Sequence, residues 1–262
     1  MLLILALIAF SVAVYLFILF IVKRDRGSKE PITALFAAMG FGVLGVIAAG
    51  TLNNIFVPSA VIDQIGSQEV GGVPTWQLFT AALTVGLIEE SVKAIPLAIY
   101  IYKKHYFNEL TDGIIYFGIV GLTFGIIEDF MYAIEYGGGV GLMRIIMSPY
   151  LHAGFCAIFG MYFVQKKLLK RSWWIVVAAF IAAVLAHALF DFAAFTGTGW
   201  SVLALLVMTV VINVGLFVFF RRAQKIDEKM GNSAVGMNKF CRSCGRPNKD
   251  RHLYCLYCGK RT

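Results

Sequence analysis

The stretch Leu87-Ile88-Glu89-Glu90-Ser91-Val92-Lys93 puts two adjacent carboxylates and a lysine inside an apolar segment running from Trp76 to Tyr102. A helix rises about 1.5 Å per residue, so this segment can cross the roughly 30 Å apolar core of a bilayer. A charge at the bilayer centre costs at least about 2.5–3.5 kcal/mol. Two neighbouring carboxylates also repel each other. The stretch is tenable only if other side chains at the same depth compensate it, or if chemistry uses it.

Composition supports a membrane setting. Of 262 residues, 59% are hydrophobic and 15% charged, and the mean hydropathy is +0.78. Soluble domains are closer to about 25% charged. The chain reads as an all-α polytopic membrane protein of about seven spans: Leu2–Val22, Ile32–Ile55, Trp76–Tyr102, Thr111–Tyr136, Gly141–Val164, Trp173–Phe195 and Trp200–Phe220. The first lacks a basic leader region and is followed by Lys23-Arg24-Asp25-Arg26, so it reads as a retained helix, not a cleaved signal.

Connecting segments alternate in charge. Those at Lys23–Lys29, Lys103-Lys104, Lys166–Arg171 and Arg221–Lys225 are basic, whereas Val57–Pro74, Gly137-Gly138-Gly139 and Thr196–Gly199 contain no Lys or Arg. The alternation predicts an outside N-terminus and an inside C-terminus in a multi-pass cell-membrane protein. Trp76, Trp173, Trp174 and Trp200 fall at span ends, as interfacial anchors do. The net charge of +8 follows from this topology, with the lipid bilayer as partner and no nucleic acid expected. Arg144 is the one cation on the outer side, reaching the interface or a nearby carboxylate.

Beyond Arg222 the composition changes. Residues 1–222 form a transmembrane core, 223–239 read as a flexible linker, and 240–262 carry two Cys-x-x-Cys knuckles. Cys241, Cys244, Cys255 and Cys258 are four thiolates suited to a structural, tetrahedral Zn²⁺ in a small cytosolic zinc-ribbon-like module. Four protein ligands leave no open position for catalysis. So short a segment has little core of its own, so metal binding would supply most of its folding free energy. A cytosolic protein partner is the natural use of such a module. Cys156, alone in an apolar span, reads as a small packing residue.

Other polar residues recur inside the spans. Glu89 and Glu90 stand i,i+4 and i,i+3 from Lys93, within reach along one helix side. Phe124, Glu128 and Tyr132 form a row, with Asp129 beside Glu128. His152 follows Ser148-Pro149, and His187 and Asp191 are i,i+4. From the helical rise, Glu90, Glu128, His152 and His187 all fall near the midplane or in the outer half. Singly, a membrane histidine can be a packing residue, Asp191 can merely orient His187, and Lys93 can merely neutralise a glutamate. Together they imply one polar cavity, because a buried network with one member missing leaves an uncompensated group.

Such a set suits hydrolysis. Glu89 or Glu90 could activate water, with a slight preference for Glu90, and the histidines could stabilise an oxyanion or bind a metal. Two histidines and a carboxylate form a known catalytic-zinc ligand set, so His152, His187 and a glutamate could hold Zn²⁺; a metal-free glutamate–histidine pair is the other route. A proton-coupled transporter and a non-catalytic scaffold recruiting a partner through the zinc module are the rival functions.

Glu89-Glu90-x-x-Lys93, Phe124-x-x-x-Glu128 and His187-x-x-x-Asp191, with His152 between the last two, resemble the PrsW family of intramembrane proteases, distant relatives of the CAAX prenyl endopeptidases. The resemblance covers about residues 76–195. It implies an endopeptidase acting on membrane-anchored proteins, such as outer-side cleavage of a transmembrane anti-sigma factor. It also implies a catalytic set of Glu89, Glu90, Glu128, His152 and His187, with Lys93 and Asp191 supporting. The four-cysteine module lies outside the shared core.

Overall fold

The computed structural model describes residues 29–67, 72–230, 238–240, 244, 247–249 and 258. Leu2–Val22, read as the first span, lies outside the described residues. The rest folds into helices α1 (Ile32–Phe56), α2 (Ser59–Ser67), α3 (Thr75–Ile101), α4 (Leu110–Tyr136), α5 (Gly138–Leu168), α6 (Trp173–Thr196) and α7 (Gly199–Met230). A short antiparallel pair follows, β1 (Asn238–Phe240) with β2 (Pro247–Lys249), Asn238 facing Lys249.

Local chemistry sets the helix ends. α1 and α3 begin directly after Pro31 and Pro74, whose fixed φ suits a helix start. α6 begins at Ser172, whose hydroxyl accepts from the Trp174 N–H, and ends at Gly197 in the left-handed conformation. Gly137, with φ of 84°, makes the sharp turn from α4 into α5. Helices α1, α4, α6 and α7 are long and apolar enough to cross a membrane. α3 and α5 are equally long, at 27 and 31 residues, but carry the charged residues read above as a cavity.

α4 is the central helix and α7 the peripheral one: 78% of the apolar stretch of α4 is buried, against 6% for α7. The faces turned outward are apolar, with Ile47, Ile99, Val210 and Phe217 among the exposed side chains, as lipid contact requires. Trp76, Trp173, Trp174 and Trp200 are exposed at helix starts, the place for interfacial anchors.

Two apolar clusters bracket the polar residues. Towards the basic loops, Leu97, Ile101, Phe107, Leu110, Phe117 and Val164 form the main core. Towards the opposite ends, Val57, Val61, Leu78 and Ala81 pack together. Close approach of α4 to α5 depends on small residues. A side chain on Gly121 would strike the His152 carbonyl, and one on Gly125 would lie 2.8 Å from the His152 ring.

The segment read as a linker is partly helical. α7 continues to Met230, and Ala223, Gln224 and Asp227 are buried. Asp227 accepts from the backbone N–H groups of Leu110 and Thr111, at 2.8 and 3.0 Å, and from the Thr111 hydroxyl at 3.1 Å. This satisfies orphan donors at the start of α4 and places a negative charge at the positive helix end. Burial of an apolar turn and this capping explain why the chain stays helical past Arg222.

Candidate active site

Five helices contribute side chains to one buried cluster. α3 presents Glu89, Glu90 and Lys93 on a single side, and all three are buried. Lys93 Nζ lies 2.6 Å from Glu90 Oε1 and 3.7 Å from Glu89 Oε2, so the predicted i,i+3 and i,i+4 pairs both form. Its ammonium also sits 4.4 Å from the centroid of the Phe124 ring, a cation–π contact from α4. α5 brings His152 to Lys93, with Nδ1 at 2.9 Å from Nζ. α6 brings His187 to Glu90, with Nδ1 at 2.8 Å from Oε1.

An ammonium has donors only, so His152 Nδ1 accepts from Lys93. The His152 proton is therefore on Nε2, which donates to Glu128 Oε2 at 2.9 Å. Glu128 Oε2 also receives Arg144 Nη2 at 2.8 Å, and Arg144 Nε donates to Asp129 Oδ1 at 3.0 Å. The guanidinium stacks on Tyr132, 3.8 Å from the ring centroid. A continuous hydrogen-bonded line thus runs from His187 through Glu90, Lys93, His152, Glu128 and Arg144 to Asp129. Along it each carboxylate lies between two basic groups or beside one, which compensates the charges that made the opening stretch anomalous.

His187 is arranged differently. Its Nδ1–H donates to Glu90, which leaves the Nε2 lone pair facing Glu89 Oε2 at 3.6 Å and Asp191 Oδ2 at 3.4 Å. Both carboxylate oxygens are buried and have no hydrogen-bond partner among the described residues, although the Lys93 ammonium stands 3.7 Å from Glu89 Oε2. Three electron-rich atoms therefore converge on one small space. Coulomb repulsion disfavours this unless a proton, on His187 or on one of the carboxyl groups, or a cation lies among them. Ligand atoms of Glu89, His152 and His187 also lie within 4.8 Å of one another, a set that could hold a metal ion. Glu90 would then support His187 from behind, as a carboxylate behind a metal-bound histidine does. To offer Nε2 as a ligand, His152 would have to give up its proton there.

All seven side chains singled out within the spans, Glu89, Glu90, Lys93, Glu128, His152, His187 and Asp191, are brought together in this cluster. Lys93 and His187 share Glu90 Oε1, and the Cys156 thiol donates to Oε2 at 3.6 Å, so this thiol packs directly on the cluster. Arg144 pairs with carboxylates, and Tyr132 lies against it. Asn53, near the end of α1, escapes sequence reading; its Nδ2 donates to Glu89 Oε1 at 3.3 Å. Two consecutive asparagines, Asn53-Asn54, at the end of an apolar run were the available signal. Of the four module cysteines, Cys241 and Cys255 lie outside the described residues. Cys244 is half-buried and Cys258 exposed.

Comparison with known proteins agrees with this geometry. The family described as PrsW family intramembrane metalloprotease matches residues 30–219, which include every residue of the cluster. The chain is 27% identical to protease PrsW of Clostridioides difficile over 198 residues, covering 72% of this chain and 79% of that one. It is 30% identical to protease PrsW of Halalkalibacterium halodurans over 185 residues, covering 70% and 80%. With protease PrsW of Bacillus subtilis the identity is 26% over 181 residues, covering 68% and 77%. No solved structure matches the chain. With a family match over most of its length and the polar cluster inside that match, the chain belongs to the PrsW family of intramembrane proteases, multi-pass membrane enzymes that hydrolyse peptide bonds of membrane-embedded proteins.

Proposed function

We propose that Glu89, Glu90, Glu128, His152 and His187 form the catalytic centre, supported by Lys93 and Asp191, and that Glu89 is the proton acceptor for the attacking water. The convergence of Glu89 Oε2, His187 Nε2 and Asp191 Oδ2 on one space carries this reading. Glu89 Oε2 has no hydrogen bond among the described residues, whereas Glu90 is held by Lys93 and His187. Glu90 therefore orients His187, and Glu89 takes a proton from water and passes it to the leaving amine. Glu128 fixes the tautomer and orientation of His152. In the alternative metal route Glu89 would be a ligand and not the base: a divalent cation held by Glu89, His152 and His187, zinc by the chemistry of the donor set, would make bound water nucleophilic and polarise the scissile carbonyl.

Water would enter from the outer side. Glu128, Arg144 and Asp191 keep 15, 17 and 11% of their side chains exposed, while Lys93, Glu90 and His187 keep 0, 2 and 3%. The more exposed trio stands on the side away from the basic loops. Cleavage near the outer face fits a membrane-anchored regulator such as a transmembrane anti-sigma factor. The four cysteines would hold a structural zinc in a module, residues 240–262, that docks a cytosolic partner.

The test is cleavage of a membrane-spanning reporter by purified protein in lipid vesicles. Glu89→Gln should reduce turnover by about 10²–10⁴-fold without loss of thermal stability. A Glu89→Gln protein with full turnover would overturn the assignment of the base. Metal content separates the two chemical routes. With all four module cysteines changed to serine, about one Zn²⁺ per chain, lost in His187→Ala, supports metal catalysis. No zinc in that protein supports the metal-free route, with a proton in that space instead.

A further inference from the structure

A peptide bond inside a membrane helix is shielded, because its N–H and C=O are tied into the helix. Cleavage requires local unwinding, and each freed N–H then needs an acceptor in a place where water is scarce. Most charged acceptors of the cluster are engaged, Asp129 Oδ2, beside the Arg144 pair, being the exception outside the reacting space. Glu90 serves Lys93 and His187, and Glu128 serves His152 and Arg144. Glu89 Oε2 and Asp191 Oδ2 face His187 Nε2 in the reacting space.

Asn53 stands beside this space on α1. Its Nδ2 donates to Glu89 Oε1, which leaves Glu89 Oε2 as the oxygen turned towards His187. Its Oδ1 is buried and has no hydrogen-bond partner among the described residues. Leaving a buried amide oxygen unsatisfied costs about 1–3 kcal/mol, so its retention calls for an explanation. The residue is well anchored: the Val57 N–H donates to the Asn53 carbonyl at 2.9 Å, and Val57 packs with Val61, Leu78 and Ala81. A rigid, neutral acceptor adjoins the carboxylate that takes the water proton. Being neutral, it can bind an N–H without competing for that proton or for a cation.

We infer that Asn53 is a substrate-binding residue whose Oδ1 accepts a backbone N–H from the unwound, membrane-embedded substrate while its Nδ2 holds Glu89. This rests on the peptide-hydrolysis reading of the same cluster. The subsite recognises main chain and not a side chain, so it selects for substrates whose helix unwinds near the cleavage point, not for a particular residue there.

Two measurements test it. In the first, Asn53→Leu is made in a Glu89→Leu background, where Nδ2 has already lost its acceptor, and is compared with Glu89→Leu alone by thermal denaturation in detergent. Removing an unsatisfied amide should leave the midpoint unchanged or raise it, whereas a fall of several degrees would mean that Oδ1 has a structural partner and would overturn the proposal. In the second, a synthetic membrane-spanning reporter peptide carries an ester in place of the amide at each bond flanking the scissile one. Loss of the bound N–H should raise the wild-type KM about tenfold at one position, and Asn53→Leu should show a raised KM for the all-amide peptide and no further response to that ester. Equal ester sensitivity in both proteins would overturn the proposal. A wild-type protein that cleaves no reporter would defeat the protease assignment instead, and the denaturation result would still decide whether Oδ1 is satisfied within the fold.

Discussion

Arg144 bridges two carboxylates on adjacent positions of α4 while stacked on Tyr132, a geometry that needs the planar, forked guanidinium. Lysine could meet Glu128 or Asp129, but not both while also stacking. Arg144→Lys should therefore retain the fold but lower turnover, because Glu128 is freed to rotate away from His152. Arg144→Gln should lower it further, since it leaves two buried carboxylates without their counter-ion. Turnover of a reporter in vesicles and thermal midpoints of both variants check the order wild type, lysine, glutamine; equal turnover in all three would show that Glu128 is held without Arg144. At this scale the sequence was informative along each helix and blind across helices. The pairs Glu90–Lys93 and His187–Asp191 follow from the helical repeat alone. The Lys93–His152 and Asn53–Glu89 contacts do not, because they depend on how helices are rotated against each other. In a soluble protein a polar stripe would reveal that rotation. Here lipid and core are both apolar, so the outward Ile47 and Ile99 look no different from the inward Val46 and Leu97. The choice between Glu89 and Glu90 stays open in the sequence for the same reason: only the position of His187 shows which glutamate is occupied.

Helix packing sets the site through the α4–α5 contact. Gly125 lets α5 approach until His152 meets Lys93, and an added Cβ there would lie 2.8 Å from both the His152 ring and the Pro149 Cα. Gly125→Val should push α5 outward, separate His152 from Lys93, and reduce both turnover and thermal midpoint. Gly40 on α1 is the matched control, since nothing lies within 4 Å of an added Cβ. Gly40→Ala should be neutral, or stabilising by up to about 1 kcal/mol through helix propensity, with turnover unchanged. Similar losses in both variants would show that helix glycines matter here for backbone freedom and not for close approach. The contact was partly legible: six of the seven expected spans correspond to helices found at nearly the expected bounds, because apolar length is a strong signal. The extension of α7 to Met230 was hidden, because its polar residues resemble a linker until Asp227 is seen capping α4. Asp227→Asn should weaken these charge-assisted bonds and lower stability by about 1–3 kcal/mol, read as a fall in thermal midpoint. KM for a reporter should not change, since the clasp is at the far end of α4 from Glu128.

For the whole molecule, the arrangement of charge connects orientation to mechanism. The basic loops lie at one end of the bundle, beside the main apolar core that contains Leu97, Ile101 and Phe107. The cluster lies beyond that core, and its more exposed members, Glu128, Arg144 and Asp191, stand further from the basic end. If the basic loops face the cytosol, water reaches Glu89 from outside, and the module proposed for residues 240–262 would stand at the opposite end of the bundle. Its route to the site would then be α7, which carries the Asp227 clasp on α4. Orientation therefore decides whether the module acts as a regulator at a distance or as a neighbour of the site. Thr198→Cys, in the loop between α6 and α7, should react with a membrane-impermeant maleimide in intact cells. Arg171→Cys, in the loop between α5 and α6, should react only after permeabilisation. Both variants carry serine at positions 241, 244, 255 and 258, so that the native cysteines after α7 cannot label in either orientation, and Cys156 is buried. Labelling of Arg171→Cys in intact cells with Thr198→Cys protected would invert the bundle, bring the more exposed edge of the cluster to the cytosol, and make direct contact between the module and the substrate the more economical account.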